Sequence, residues 1–199
     1  MARAMDEGGL TEHRRQLLSG LRGEVVEIGA GPGGTFPHYP PTVTRVLAVE
    51  PEPRLRALAR SAAAAAPVPV EVVDGLADRL PVADHTADAV VCCLVLCSVP
   101  GPAAALAEAR RVLRPGGQLR VLEHGRADAP GVARVQRLLD ATIWPRLAGG
   151  CHTGRDTVAA IEQAGFTLDR LDRFLFPDTR APFSWHVLAT ARSARPAAR

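Results

Sequence analysis

The chain has 199 residues, 47% of them apolar, and a formal net charge of +3. This length suits one domain with a substantial core. The mild charge, scattered arginines and few aromatics point away from a nucleic-acid partner. No basic start followed by an apolar stretch marks a signal peptide, and no run approaches the roughly 20 apolar residues of a membrane helix. A soluble cytoplasmic protein without a membrane anchor is therefore expected. Cys92, Cys93, Cys97 and Cys151 form no C-x-x-C pair. They read as small buried hydrophobes in a reducing compartment, and no metal site is expected.

In chain order, residues 11–21 predict a short helix with Thr11 as its cap and Leu17, Leu18 and Leu21 available to pack. Residues 1–22 read as an N-terminal helical cap on a domain spanning 23–192. A strand is predicted at about 24–28, followed by the glycine-rich turn Gly29-Ala30-Gly31-Pro32-Gly33-Gly34. Pro37, Pro40 and Pro41 forbid a long helix after it. A second strand covers 45–50, a helix 53–65 and a third strand 68–73, the last leaving through Asp74-Gly75-Leu76-Ala77. Residues 87–96 read as a central strand buried on both faces.

Pro102 opens a helix that Arg114-Pro115-Gly116-Gly117 stops, before a fifth strand at 118–123. A helix over 131–147 is broken by Gly149-Gly150, and another runs from Thr153 or Gly154 to about 164. The last two strands, 169–176 and 184–191, are separated by too short a segment for a helical crossover and should pair antiparallel. Residues 193–199 read as a disordered tail. Strands alternating with helices imply a parallel, doubly wound α/β sheet with its ligand at the carboxyl ends of the strands.

Those ends carry the chemistry. Glycines directly after a strand let backbone N–H groups approach a ligand. Glu50 ends the second strand about twenty residues on, a spacing suited to a carboxylate holding both hydroxyls of a ribose. An adenosine-containing cofactor follows. Gly29-x-Gly31-x-x-Gly34 also satisfies the dinucleotide fingerprint. Against a nicotinamide enzyme, Glu27 lies inside the strand, and the three prolines would disrupt a helix starting at the pyrophosphate.

The pattern Glu27-x-Gly29-x-Gly31-x-Gly33 instead resembles the first motif of class I S-adenosylmethionine-dependent methyltransferases. Glu50, Leu80-Pro81, Asp88-Ala89-Val90-Val91 and Leu113-Arg114-Pro115-Gly116-Gly117 follow in matching order. The resemblance, to the methyltransferase type 11 domain, implies a Rossmann-like, seven-stranded, mostly parallel sheet with an antiparallel last strand and helices on both faces. Tyr39-Pro40-Pro41, residues 92–99, Glu123-His124 and Gly150-Cys151-His152 with Thr153-Gly154-Arg155-Asp156 are similar to the alkyl-thiol S-methyltransferase branch. Membrane-associated members of that branch have an apolar N-terminal anchor that has no counterpart in residues 1–22.

The resemblance implies S-adenosyl-L-methionine as cofactor and S-adenosyl-L-homocysteine as product. Its cofactor residues would be Glu27, Gly29, Ala30, Gly31, Gly33, Glu50, Pro51, Gly75, Leu76, Ala77, Cys93 and Leu94. Glu27 would support the ammonium end, Gly75 to Ala77 the adenine, and Cys93 and Leu94 the methionine. Related quinone-biosynthesis enzymes place an acid where Leu76 stands, with Asp74 or Asp78 as substitutes here. His124 and His152 are the candidate catalytic residues. A thiol reacts as its thiolate, which a nearby histidine favours. Asp140, Trp144 and Trp185 are further candidates for the acceptor pocket, core packing being the other reading of the tryptophans. The favoured acceptor is a small-molecule thiol. The alternatives are O- or C-methylation of a quinone-like or natural-product phenol, or a cofactor-binding module without turnover. A monomer or homodimer is expected.

Overall fold

Val25, Val26 and Ile28 are almost wholly buried because the first strand, β1 (Gly23–Ile28), sits at the centre of the sheet. The computed structural model describes residues 9–193. Within them lie, in order, α1 (Thr11–Leu18), β1, β2 (Val43–Val49), α2 (Pro53–Ala63), β3 (Val70–Val73), β4 (Ala87–Cys93), α3 (Pro102–Val112) and β5 (Leu113–His124). There follow α4 (Pro130–Ala141), α5 (Trp144–Leu147), α6 (Thr157–Gln163), β6 (Phe166–Leu175) and β7 (Trp185–Ser193). The seven strands are ordered β3-β2-β1-β4-β5-β7-β6. β1 pairs in parallel with both β2 and β4, and β4 with β5. β7 lies antiparallel between β5 and β6. The chain reverses its order of strands between β1 and β4, which places a ligand crevice at their carboxyl ends.

Side chains alternate across the sheet, and two apolar layers result. Val26, Ile28, Val90, Cys92 and Val121 pack with Leu106 and Ala109 of α3 and Ile161 of α6. Val25, Ala89, Val91 and Leu122 pack on the other face with Leu17 and Leu18 of α1, Ala59 of α2 and Phe36. Helices thus cover both faces. β4 is apolar from Ala89 to Cys93 because both faces are covered there, while Asp88 near its start pairs with Arg114.

Several predicted boundaries move, each for a local reason. Leu10, not Thr11, occupies the cap of α1, and no side chain caps it. β4 ends at Cys93 rather than continuing to Leu96, because Leu94 takes φ +57° and turns the chain. The single helix expected over 131–147 is two. Thr142 leaves helical geometry and its hydroxyl donates back to the Leu138 carbonyl, while Pro145 in the next turn has no N–H to continue the ladder. The following helix starts at Thr157, where the Asp156 carboxylate accepts from the Ala159 N–H at 3.1 Å. β5 begins at Leu113, so Arg114-Pro115-Gly116-Gly117 is part of the strand and not a stop before it. Ser184 precedes β7, and Ser193, read as the start of a tail, pairs with Phe166 at the end of that strand. The remainder of the predicted tail and the first eight residues of the predicted cap lie outside the described residues.

Candidate active site

A cavity of about 490 Å³ opens at the carboxyl ends of β1, β2 and β4, within the range that holds small molecules and cofactors. Gly29 and Gly31 line it, with Glu50, Pro51, Gly75, Leu76, Ala77, Asp78, Leu94, Val95 and Ser98. The turn after β1 needs glycine for two different reasons. Gly29 has φ +65°, and a Cβ there would lie 2.2 Å from Val95 Cγ2. Gly31 has φ +56°, but a Cβ there would meet nothing within 4 Å, because it would project into open space.

Glu50 is 5% exposed. One carboxylate oxygen accepts from the Gly31 N–H at 2.8 Å, the other from the Glu52 N–H at 3.0 Å. A carboxylate has about four lone-pair directions, so each oxygen keeps capacity for a ligand hydroxyl. This fixed acid, the open side of Gly31 and the apolar wall of Leu76, Ala77, Leu94 and Val95 fit an adenosyl group. Arg56 braces the rim. Its Nη1 donates to the Glu50 and Pro51 carbonyls and to Asp74. Asp74 is thereby committed to Arg56 and does not line the cavity, whereas Asp78 does. Of the two substitutes for the missing acid at Leu76, the geometry favours Asp78.

The structure does not bring Glu27, Ala30, Gly33 or Cys93 to the cavity wall. Alternation puts Glu27 and Cys93 on the α1 face. Glu27 is 1% exposed. Thr35 Oγ1 lies 2.6 and 2.8 Å from its two oxygens, and the Tyr39 hydroxyl donates at 2.7 Å. Burial raises its pKa to about 7 against those hydrogen bonds and the charge of Arg14. Burial likewise pushes the Cys93 thiol up to about 12, with Arg14 opposing. Arg14 of α1, missed by the sequence reading, is 7% exposed and electrostatically joined to both groups. Ala30 packs into the α1-side core. Gly33 allows Phe36 and Ala62 to close in.

Glu123 is the main residue that motif reading did not assign. It is fully buried, and its carboxylate accepts from the N–H groups of Val95, Leu96 and Cys97 at 2.7, 2.7 and 3.2 Å. It thereby shapes the turn that presents Val95 and Ser98 to the cavity. Burial raises its pKa and these three donors oppose the rise. Arg155 fastens the same turn from outside through the Leu96 and Val99 carbonyls.

His124 and His152 do not line the cavity either. His124 Nδ1 lies 3.4 Å from Cys151 Sγ, and its ring packs 4.4 Å from that of His186. Cys97 completes the group. The ligating atoms of Cys97, His124 and Cys151 all lie within 4.8 Å of one another. Cys97 and His124 hold the Cys151 thiol below its ordinary range, and Cys97 rises in turn. The Trp144 indole N–H is near enough to help, yet buried without a hydrogen bond of good geometry. His186 is 2% exposed; burial and His124 lower its pKa to about 4. His152 Nδ1 is 2.8 Å from the Gly150 carbonyl, and its backbone N–H donates to the Cys97 carbonyl. Asp140 holds the turn at Thr153 and Gly154 through their N–H groups, both at 2.8 Å. Trp144 stacks on Phe183, while Trp185 opens β7 opposite Leu175. Ser98 and Gly149 line the cavity next to this cluster in sequence.

Sheet order, glycine turn and Glu50 together define a class I S-adenosylmethionine-dependent methyltransferase. Residues 26–121 match the family profile described as "Methyltransferase domain", and the chain belongs to that family, with S-adenosylmethionine as its cofactor. It is 35% identical over 180 residues to thiol S-methyltransferase TMT1B of Homo sapiens, covering 87% of this chain and 73% of the relative. It is 34% identical over 191 residues to thiol S-methyltransferase TMT1A of Homo sapiens, covering 90% and 75%. The crystal structure of a putative methyltransferase from Bacillus halodurans shares the fold, with a TM-score of 0.75 at 19% identity, covering 92% of this chain and 98% of that one. Among the described residues no helix is long and apolar enough to cross a membrane.

Proposed function

We propose that the protein transfers the methyl group of S-adenosylmethionine to the sulfur of a small-molecule thiol. The likeness to thiol S-methyltransferases over most of the chain carries this reading. The sulfur- and imidazole-rich cluster, whose Cys97 directly precedes the cavity-lining Ser98 in the chain, supports it. The cofactor would lie across the ends of β1 and β2. Glu50 would take its ribose, Asp78 and the Gly75 to Ala77 turn its adenine, and Leu94 and Val95 its methionine arm. Glu27 would act on the ammonium end only at a distance, through the β1 turn.

The chemistry asks little of the protein. The acceptor thiolate forms a bond to the methyl carbon as the carbon–sulfonium bond breaks, and the leaving thioether is neutral. Alignment therefore supplies much of the rate. The remaining demand is the thiolate itself, because a free thiol has a pKa of about 8.5. His124 is proposed to favour that form of the acceptor, with His152 closing the acceptor side.

The test is incubation with labelled S-adenosylmethionine and a panel of thiols, phenols and amines, with products identified by mass spectrometry. An S-methyl product and matching S-adenosylhomocysteine are expected. Methylation of phenols alone would replace the acceptor. Tight cofactor binding with no product from any class would favour a binding module.

A further inference from the structure

We propose that Cys97, His124 and Cys151 form a binding site for a thiophilic divalent cation of the zinc class. The three donors come from three separate segments: the turn after β4, the end of β5 and the loop after α5. Their ligating atoms lie within 4.8 Å of one another. Zinc takes sulfur at about 2.3 Å and imidazole nitrogen at about 2.0–2.1 Å in tetrahedral geometry, which sets sulfur and nitrogen roughly 3.5 Å apart. The observed separation of Cys151 Sγ and His124 Nδ1 is 3.4 Å. The spacing of this pair is thus that of two donors sharing one tetrahedral cation.

Each donor is anchored by its backbone. Cys97 donates its N–H to Glu123, and its carbonyl accepts from His152. The His124 carbonyl accepts from the Thr157 hydroxyl at 3.3 Å. The Cys151 N–H donates to the Ala148 carbonyl at 3.1 Å. The surroundings also suit sulfur anions. The Ser98 hydroxyl lies 3.5 Å from Cys97 Sγ, and the buried Trp144 indole N–H has no partner of its own. Groups outside the ligand shell that steady the ligands are a regular part of metal sites.

Two thiolates and one imidazole leave a fourth tetrahedral position open, the pattern of catalytic rather than structural zinc sites. A thiol that coordinates a zinc ion is deprotonated outright. An acceptor taking the fourth position would thus arrive as its metal-bound thiolate, its proton released to solvent. His124 then contributes a lone pair to the cation, and this is how it favours the thiolate. That consequence rests on the thiol-acceptor reading; cation binding does not.

The test uses the full chain, reduced and freed of metal, titrated with Co²⁺ as a spectroscopic probe and then with Zn²⁺ in competition. One equivalent is expected to bind, with sulfur-to-cobalt charge-transfer bands and the strong visible bands of a tetrahedral site. Cys97→Ser and Cys151→Ser should each weaken binding by more than the roughly 10–100-fold typical of losing an outer-shell partner. Absence of the charge-transfer bands, or bands unchanged in both variants, would overturn the site. If the variants do not fold, X-ray absorption of the zinc-loaded wild type decides. Two sulfurs and an imidazole in the zinc shell support the proposal, and a shell of oxygen and nitrogen alone overturns it. Recovery of Cys97 and Cys151 as a disulfide that excludes the cation under reducing conditions also overturns it. Equal thiol methylation by the metal-free and zinc-loaded enzyme would overturn the catalytic part.

Discussion

Glu27→Gln isolates the cost of a buried charge. In the folded chain the carboxyl releases its proton near pH 7, raised from an ordinary value of 4.5. Between those values the folded state binds more protons than the unfolded one, so this group's contribution to stability falls as pH rises. It is fully present below the unfolded pKa and gone above the folded one. Evaluated between about pH 5 and about pH 8.5, the shift corresponds to about 2.5 kcal/mol. Glutamine has nearly the same shape and can still meet the Thr35 and Tyr39 hydroxyls, but it does not titrate. The stability difference between wild type and variant should therefore change by about 2.5 kcal/mol across that range in the variant's favour, or roughly 5–10 °C in melting temperature. Urea denaturation of both proteins at several pH values measures this, with other titrating groups cancelling in the comparison. A difference constant across the range would refute the reasoning. It would mean that Arg14 and the two hydroxyls hold Glu27 ionised at no net cost.

Glu50→Ala should weaken S-adenosylhomocysteine binding by about 100-fold, on the basis of two charge-assisted hydrogen bonds at about 1.5 kcal/mol each; unchanged affinity by calorimetry would place the ribose elsewhere. Gly29→Ala should cost about 2–5 kcal/mol of stability, combining the left-handed backbone with the clash against Val95. Gly31→Ala should cost only about 1–2 kcal/mol yet abolish detectable cofactor binding, because its methyl enters the cavity. Equal stability losses, or a Gly31→Ala protein that still binds, would contradict the two roles. Glu123→Ala should destabilise by at least about 3 kcal/mol, since three buried N–H groups lose their acceptor, and should speed hydrogen exchange at residues 95–97. A loss below about 1 kcal/mol would show that water replaces the carboxylate.

The edge of the sheet that lines the cavity was readable because its determinants are local. A strand followed by glycines, and a second strand ending in an acid, already specify a turn and a carboxylate on one edge of a parallel sheet. Gly29, Gly31 and Glu50 meet there through the register of β1 against β2. Glu27 and Cys93 were assigned to the same edge by motif, but their orientation is decided by alternation within the strand, and both face α1 instead. Arg14, which meets them there, lies outside any motif. Pro145, inside the helix expected over 131–147, was passed over because the spacing of Val132, Val135, Leu138 and Leu139 carried the helix on to Gly149-Gly150.

The sulfur cluster was not readable, for a reason that lies in how it is held. Cys97 reaches His124 only because Glu123, adjacent to His124 in β5, draws the 95–97 backbone inward by three hydrogen bonds. Cys151 reaches the same point only because α4 and α5 are separated and the chain returns through Gly149 and Gly150 to the Cys97 carbonyl, which accepts from His152. No spacing rule covers ligands 27 residues apart whose meeting depends on a buried carboxylate. The same dependence couples the two halves of the site. Glu123 positions Val95 and Ser98 on the cofactor cavity with one set of bonds, and Cys97 in the sulfur cluster with the same set. A change that loosens this carboxylate should therefore impair cofactor binding and the cluster together, whereas Glu50→Ala should impair the first alone.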